Sequence, residues 1–243
     1  MIEELLRIYE ESRLNAGKPE SLFNPTLIFN EGWLLRGVLR QWKLAPAASR
    51  LPFLPLPAYA RIYSEGQLYT PFAPRHRGDK SAEAHTHVDG IAGDFSIGAT
   101  KSGIEVDPGC RYLAVFEAKL YSPIAGGISH APGYDQVSRT VACTVNALLR
   151  ARCSGPYAAH VVVLYPASHA RIDSARYNKA NLERQIATRV QEFGLPPTDV
   201  FAAGWHAALD TVRLSFVTWE DVLAEIDDDP LREFYRLCLR FNG

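Results

Sequence analysis

The chain has no Cys-x-x-Cys pair, no apolar run approaching the roughly 18 residues of a membrane-spanning helix, and no surplus of either charge. Each absence closes a class. Cys110, Cys143, Cys153 and Cys238 are too scattered for a metal knuckle or a disulfide framework, and they read as reduced small hydrophobes of an intracellular protein. With 26 basic residues against 27 acidic ones, no global field draws the molecule to nucleic acid or to an anionic membrane, so any such contact falls to a local patch. The opening MIEELLRIYEESRL is acidic and amphipathic and lacks the basic and apolar regions of a signal peptide, which makes the cytoplasm the expected compartment and a membrane partner unexpected. What is present is an apolar fraction of 47% over 243 residues, enough to fill the core of one decorated domain.

Periodicity then divides the chain. Residues 2–15 read as a short helix, 15–21 as a linker, and NPTLIFNEGWLLRGVLRQWKL as a second helix opening near Pro25 and Thr26. The prolines of APAASRLPFLPLPA forbid regular structure. Strands are predicted at YARIYSEGQLYTPF, HVDGIAGDFSIGA and CRYLAVFEAKL, with GIEV as a shorter extended piece between the last two. After the Gly-rich SPIAGGISHAPG, Tyr134, Val137, Val141, Val145 and Leu148 recur at helical spacing and predict a helix over 134–151. The nearly continuous apolar run AAHVVVLYP reads as a strand buried on both faces. Beyond it the pattern predicts a helix over 175–193, a strand near VFAAGWHAAL, and two short helices at WEDVLAEI and PLREFYRLCL. The order over 26–166 is α-β-β-β-α-β, an α/β core preceded by a helix and linker (1–25) and followed by an αβ extension of the same domain (167–243).

Within the strand YLAVFEAKLYSP, alternation puts Glu117 and Lys119 on the side of Leu113 and Val115, a core-facing side. A Glu-x-Lys is common by chance and at a strand end is ordinarily an exposed ion pair. Here, however, lysine is scarce, six in the chain, and Lys119 alone has an acid two positions before it. Asp89 opens DGIAGDFSI, and alternation places it with Ile91, Phe95 and Ile97, whereas Asp94 falls on the other side. A carboxylate on a core face is costly unless it is paired or bound to metal. Glu31 interrupts the ridge Leu27, Leu34 or Leu35, Val38 and Trp42; it reads either as a first-turn residue favourable to the helix N-terminus or as a third inward acid. One explanation covers all four side chains. Asp89 and Glu117 would hold Mg²⁺ or Mn²⁺, Glu31 would ligate directly or through water, and Lys119 would orient the attacking water or stabilise charge on phosphorus.

DGIAGDFSI followed by VFEAK resembles the signature of the PD-(D/E)xK, or restriction-endonuclease-like, nuclease superfamily, and α-β-β-β-α-β is that superfamily's core order. The resemblance covers about residues 26–166 and departs from the pattern at Val88, where proline is usual. It implies a restriction-endonuclease-like core with a mixed central sheet and metal-dependent hydrolysis of nucleic-acid phosphodiesters, DNA being the expected partner and a homodimer compatible with it. It further implies that the helix after the third strand lends polar residues, and YDQVSRT offers Gln136 and Arg139.

Other readings compete. A catalytically silent nucleic-acid-binding or structural module could keep the same fold. HTHVD offers His85, His87 and Asp89 for a transition metal, although strand-edge histidines are the blander account. Glu65 could face the same cleft from the first strand or simply be exposed. Arg75, His76, Arg77 and Lys80 form the densest basic cluster, suited to phosphate or to solvent. The IAGG stretch lacks P-loop spacing.

Overall fold

The computed structural model describes residues 1–17, 22–44, 54–83, 85–98, 103–124, 126–127, 131–153, 157–169 and 172–243. The linkers read at 15–21, 45–58 and 122–133 lie partly outside them. Helix α1 (Ile2–Ala16) precedes α2 (Glu31–Leu44). Strands β1 (Arg61–Leu68), β2 (Thr86–Gly93), β3 (Phe95–Ile97), β4 (Ile104–Val106) and β5 (Tyr112–Ala118) lead to α3 (Gln136–Arg150) and β6 (Ala158–Tyr165). Then follow α4 (Lys179–Phe193), α5 (Val200–Leu209), β7 (Val212–Thr218), α6 (Trp219–Ala224) and α7 (Asp229–Asn242).

Five strands make one mixed sheet in the order β1-β2-β5-β6-β7, with β1, β2 and β5 antiparallel to their neighbours and β5, β6 and β7 parallel. The fold is therefore mixed α/β, and the residues after 166 complete its sheet through β7. Helices cover both faces, as the apolar character of β5 and β6 on both sides requires. On one face Leu34, Leu35, Val38 and Leu39 of α2 meet Ala92, Ala114 and Phe116, together with Ile2, Trp219 and Phe234 from α1, α6 and α7. On the other, Val141 and Val145 of α3 meet Ile91, Leu113, Val115 and Val161, joined by Ile186 of α4 and Trp205 of α5. Helix α2 lies close against β2 because Gly90 has no side chain. A Cβ there would meet Leu35 Cδ2 at 2.9 Å and Leu39 Cδ1 at 3.1 Å. Among the described residues no helix is long and apolar enough to cross a membrane.

Several sequence expectations need correction. The second helix opens at Glu31 rather than near Pro25. Pro25–Leu27 is a separate 3-10 turn capped by Asn24, and Asn30 accepts the Trp33 N–H at 3.1 Å to start α2 afresh. The strand expected over 87–99 is cut after Gly93, and its second half pairs with the GIEV piece as a small hairpin, β3–β4. Phe95 stays buried, but Ile97, expected on the core side, is 52% exposed. VFAAGWHAAL is helical, since Asp199 caps it by accepting the N–H groups of Phe201 and Ala202, and Phe201, Trp205, Ala208 and Leu209 bury one helical stripe. The strand of that region is instead β7, just after it. Gln136 opens α3 behind Asp135 as N-cap, and a 3-10 turn at Ser174–Tyr177 precedes α4.

Candidate active site at the parting of β2 and β5

The ladder between β2 and β5 has its last pair at Gly90 and Phe116. One step further, where the strands part, register sets Asp89 against Glu117. The Asp89 carboxylate bridges the gap, its Oδ2 accepting the Ala118 N–H at 2.6 Å in place of a ladder bond. Regular alternation also breaks here. Val88 and Ile91 both join the α3-side core, while Gly90 and Ala92 face α2. On the β1 side the pairs run Ser64 with Gly90 and Gly66 with Val88, so Glu65 stands opposite Asp89, unpaired in the ladder and in a left-handed conformation with φ 57°. Its side chain is half exposed and meets Arg36 at 3.4 Å.

Glu117 is 2% exposed. Its Oε1 accepts from Lys119 Nζ at 2.8 Å and from Gln136 Nε2, whereas its buried Oε2 has no hydrogen-bond partner among the described residues. The backbone of Lys119 is pinned from two sides, its N–H donating to Leu164 O and its carbonyl accepting from Trp219 Nε1, each at 2.8 Å. Gln136 is aimed by its helix start. Asp135 accepts the Ser138 N–H at 2.9 Å and is clamped by Gln185 of α4, which accepts the Asp135 N–H and donates to Asp135 Oδ2, both at 3.0 Å. One turn along α3, Arg139 directs its charge at Glu117, and its buried Nε lacks a partner among the described residues.

These surroundings set the electrostatics. Burial, and then the neighbouring Glu117 charge, push the Asp89 carboxyl up to about 7, against the pull of the Ala118 N–H and Lys119. Burial likewise raises Glu117, opposed by Lys119, Arg139 and Gln136. Two carboxyl groups held adjacent with ionisation disfavoured, one of them with an orphaned oxygen, are what a bound cation would neutralise. The donor chemistry fits a hard divalent ion, which takes one or two protein carboxylates and fills its other positions with water and substrate phosphate oxygens.

Asp89, Glu117, Lys119 and Gln136 thus lie together at this strand end. Glu31 does not join them as a third acid: among the described residues no group of three or more His, Cys, Asp or Glu side chains converges. It is the first residue of α2, suited to the helix N-terminus, and its charge, after burial, helps raise the Cys238 thiol of α7. Asp94 is elsewhere, accepting the Arg111 N–H at 2.9 Å at the other end of β5. His85 is exposed and packs edge-on to Tyr69, and His87 is exposed beside Gln67, and among the described residues neither joins a metal-binding group. In the basic loop Arg75 is spent on Asp79, Ser81 and the Phe193 carbonyl, while His76, Arg77 and Lys80 remain exposed.

Arg139, offered with Gln136 by the YDQVSRT stretch, acts on Glu117 from the next turn of the same helix. Gln185, 50 positions from Asp135, carries no signal in the sequence for its part in this site. The chain matches no protein-family model, and comparison with curated proteins and with solved structures finds no significant match.

Proposed function

We propose that the chain is a metal-dependent nuclease of the PD-(D/E)xK type that hydrolyses nucleic-acid phosphodiesters, with DNA the first substrate to test. The observation that carries this reading is the buried, unpartnered Oε2 of Glu117 beside Asp89, with Oε1 of the same carboxylate already committed to Lys119 and Gln136. Asp89 and Glu117 are the residues to hold Mg²⁺ or Mn²⁺, and an ion bound there supplies Lewis-acid polarisation of the phosphate and a more acidic water. The chain's own residues do the rest. Lys119, with one N–H held by Glu117, turns its remaining donors to a water or a phosphoryl oxygen, and its pinned backbone keeps that ammonium in place. Arg139 offsets the charge gathering around Glu117.

The test is cleavage of plasmid and of single- and double-stranded oligonucleotides with Mg²⁺ or Mn²⁺. Cutting is expected, and it is expected to stop in chelator. A second reading, a catalytically silent module, is favoured by the lack of a three-acid group among the described residues. Intact substrates that are nonetheless bound would select it.

A further inference from the structure

A cavity of about 330 Å³ adjoins the clamp that holds the start of α3, for Tyr134 and Gln185 both line it. Tyr134 is two residues before Gln136, so the cavity wall and the Glu117 partner are separated by at most about 7 Å of chain. The lining also includes Arg176, from the 3-10 turn before α4, and Arg184, from α4 itself. Both are exposed, and neither makes an ion pair among the described residues. Asn181 donates to the Arg176 carbonyl at 2.8 Å and ties the turn to the helix. Arg189 also lines the cavity, but its guanidinium is taken up by Glu83 at 2.8 Å; Glu192 is the one carboxylate on the wall, leaving the two unpaired arginines in excess. Beside Arg176, Tyr177 stacks on Phe216 of β7 with centroids 5.0 Å apart, and the Asp135 charge is felt at the Tyr177 hydroxyl.

We infer that the cavity is a second subsite for the nucleic-acid strand, where Arg176 and Arg184 take a backbone phosphate near the scissile one. The inference rests on the nuclease reading of Asp89 and Glu117. Its chemistry is that of strand-tracking grooves, in which guanidinium groups match phosphate geometry. At roughly 3.4 Å of axis per phosphate along one strand, the cavity is within a few nucleotides of Glu117.

The experiment pairs binding of a labelled oligonucleotide in CaCl₂ across a salt series with cleavage in MgCl₂, for the wild type, the Arg176→Ala/Arg184→Ala double variant, and Arg236→Ala on α7 as a charge control. The double variant is expected to bind about tenfold more weakly, to lower the slope of log affinity against log salt by about 1 to 2, and to raise KM more than it lowers kcat. The control should leave all three unchanged. If the wild type cuts and the double variant keeps wild-type binding and salt slope, the subsite is overturned and the nuclease reading stands. Arg176- and Arg184-dependent binding without cutting keeps the subsite and overturns the nuclease reading. A protein that neither binds nor cuts overturns both.

Discussion

At the scale of single residues, the carboxyl pair couples chemistry to stability. The Asp89 carboxyl titrates near 7 in the fold, against about 3.9 for an unperturbed aspartate. The folded state therefore binds more protons than the unfolded chain between these values. The stability this group contributes is complete below about pH 4 and is lost as pH rises through about 7. The raised Glu117 acts in the same direction. Metal-free protein should melt at progressively lower temperature from pH 5 to pH 8, and Asp89→Asn should flatten that slope. Added Mg²⁺ should raise the melting temperature at pH 8 and hardly at pH 5, because ligation requires the ionised carboxylates; equal shifts at both pH values would detach metal binding from this pair. Lys119→Gln keeps a donor for Glu117 Oε1 but removes the cation, so cleavage should fall by roughly 10² or more with the melting temperature nearly unchanged. Melting that drops in step with activity would make Lys119 a structural partner. The Glu-x-Lys spacing and the following Gln136 could be read from the sequence because strand parity and a helix start are local. Glu65 could be read only as either cleft-facing or exposed, because its place opposite Asp89 depends on register, and Gln185 clamping Asp135 depends on packing that no local pattern encodes.

The elements show how two glycines shape β2. Gly93 has φ 150°, and a Cβ there would collide with the Tyr112 carbonyl oxygen, whereas a Cβ at Gly90 would meet only the ends of leucine side chains. Gly93→Ala should therefore cost more than about 2 kcal/mol and exceed Gly90→Ala, as read from urea midpoints; the reverse order would mean that the break after β2 is not held by Gly93. That break was hidden in the sequence, since DGIAGDFSI continues its apolar alternation straight across it. The same limitation explains VFAAGWHAAL. Its Val, Phe and Trp content favours a strand, and the Asp199 cap outweighs it. β7 was passed over because VRLSFVT is polar in part, as befits a strand at the sheet's edge. By contrast α3, β5 and β6 were legible, each carrying an uninterrupted apolar pattern that one kind of burial explains.

For the molecule as a whole, the tie between the late helices and the early strands is the Glu83–Arg189 pair, with both side chains almost wholly buried. Glu83 is further bonded by Thr70 at 3.1 Å, and Arg189 by the Ser81 carbonyl at 2.6 Å, its guanidinium packed over Phe72 and Phe193. Glu83→Ala would strand a buried cation at a cost of about 3 to 5 kcal/mol, a drop of roughly 10 °C in melting temperature. A change of only a degree or two would show that water reaches the pair. A second long-range tie has an optical consequence. Trp219, fully buried, donates its indole N–H to the carbonyl of Lys119, a hundred positions away in sequence and part of the proposed reaction centre. Its emission is thus a native reporter of that strand end, one the chain carries without any label. Subtracting the spectrum of Trp219→Phe isolates it from the other three tryptophans, so that loading of the carboxyl pair can be followed as a change in fluorescence on the timescale of mixing.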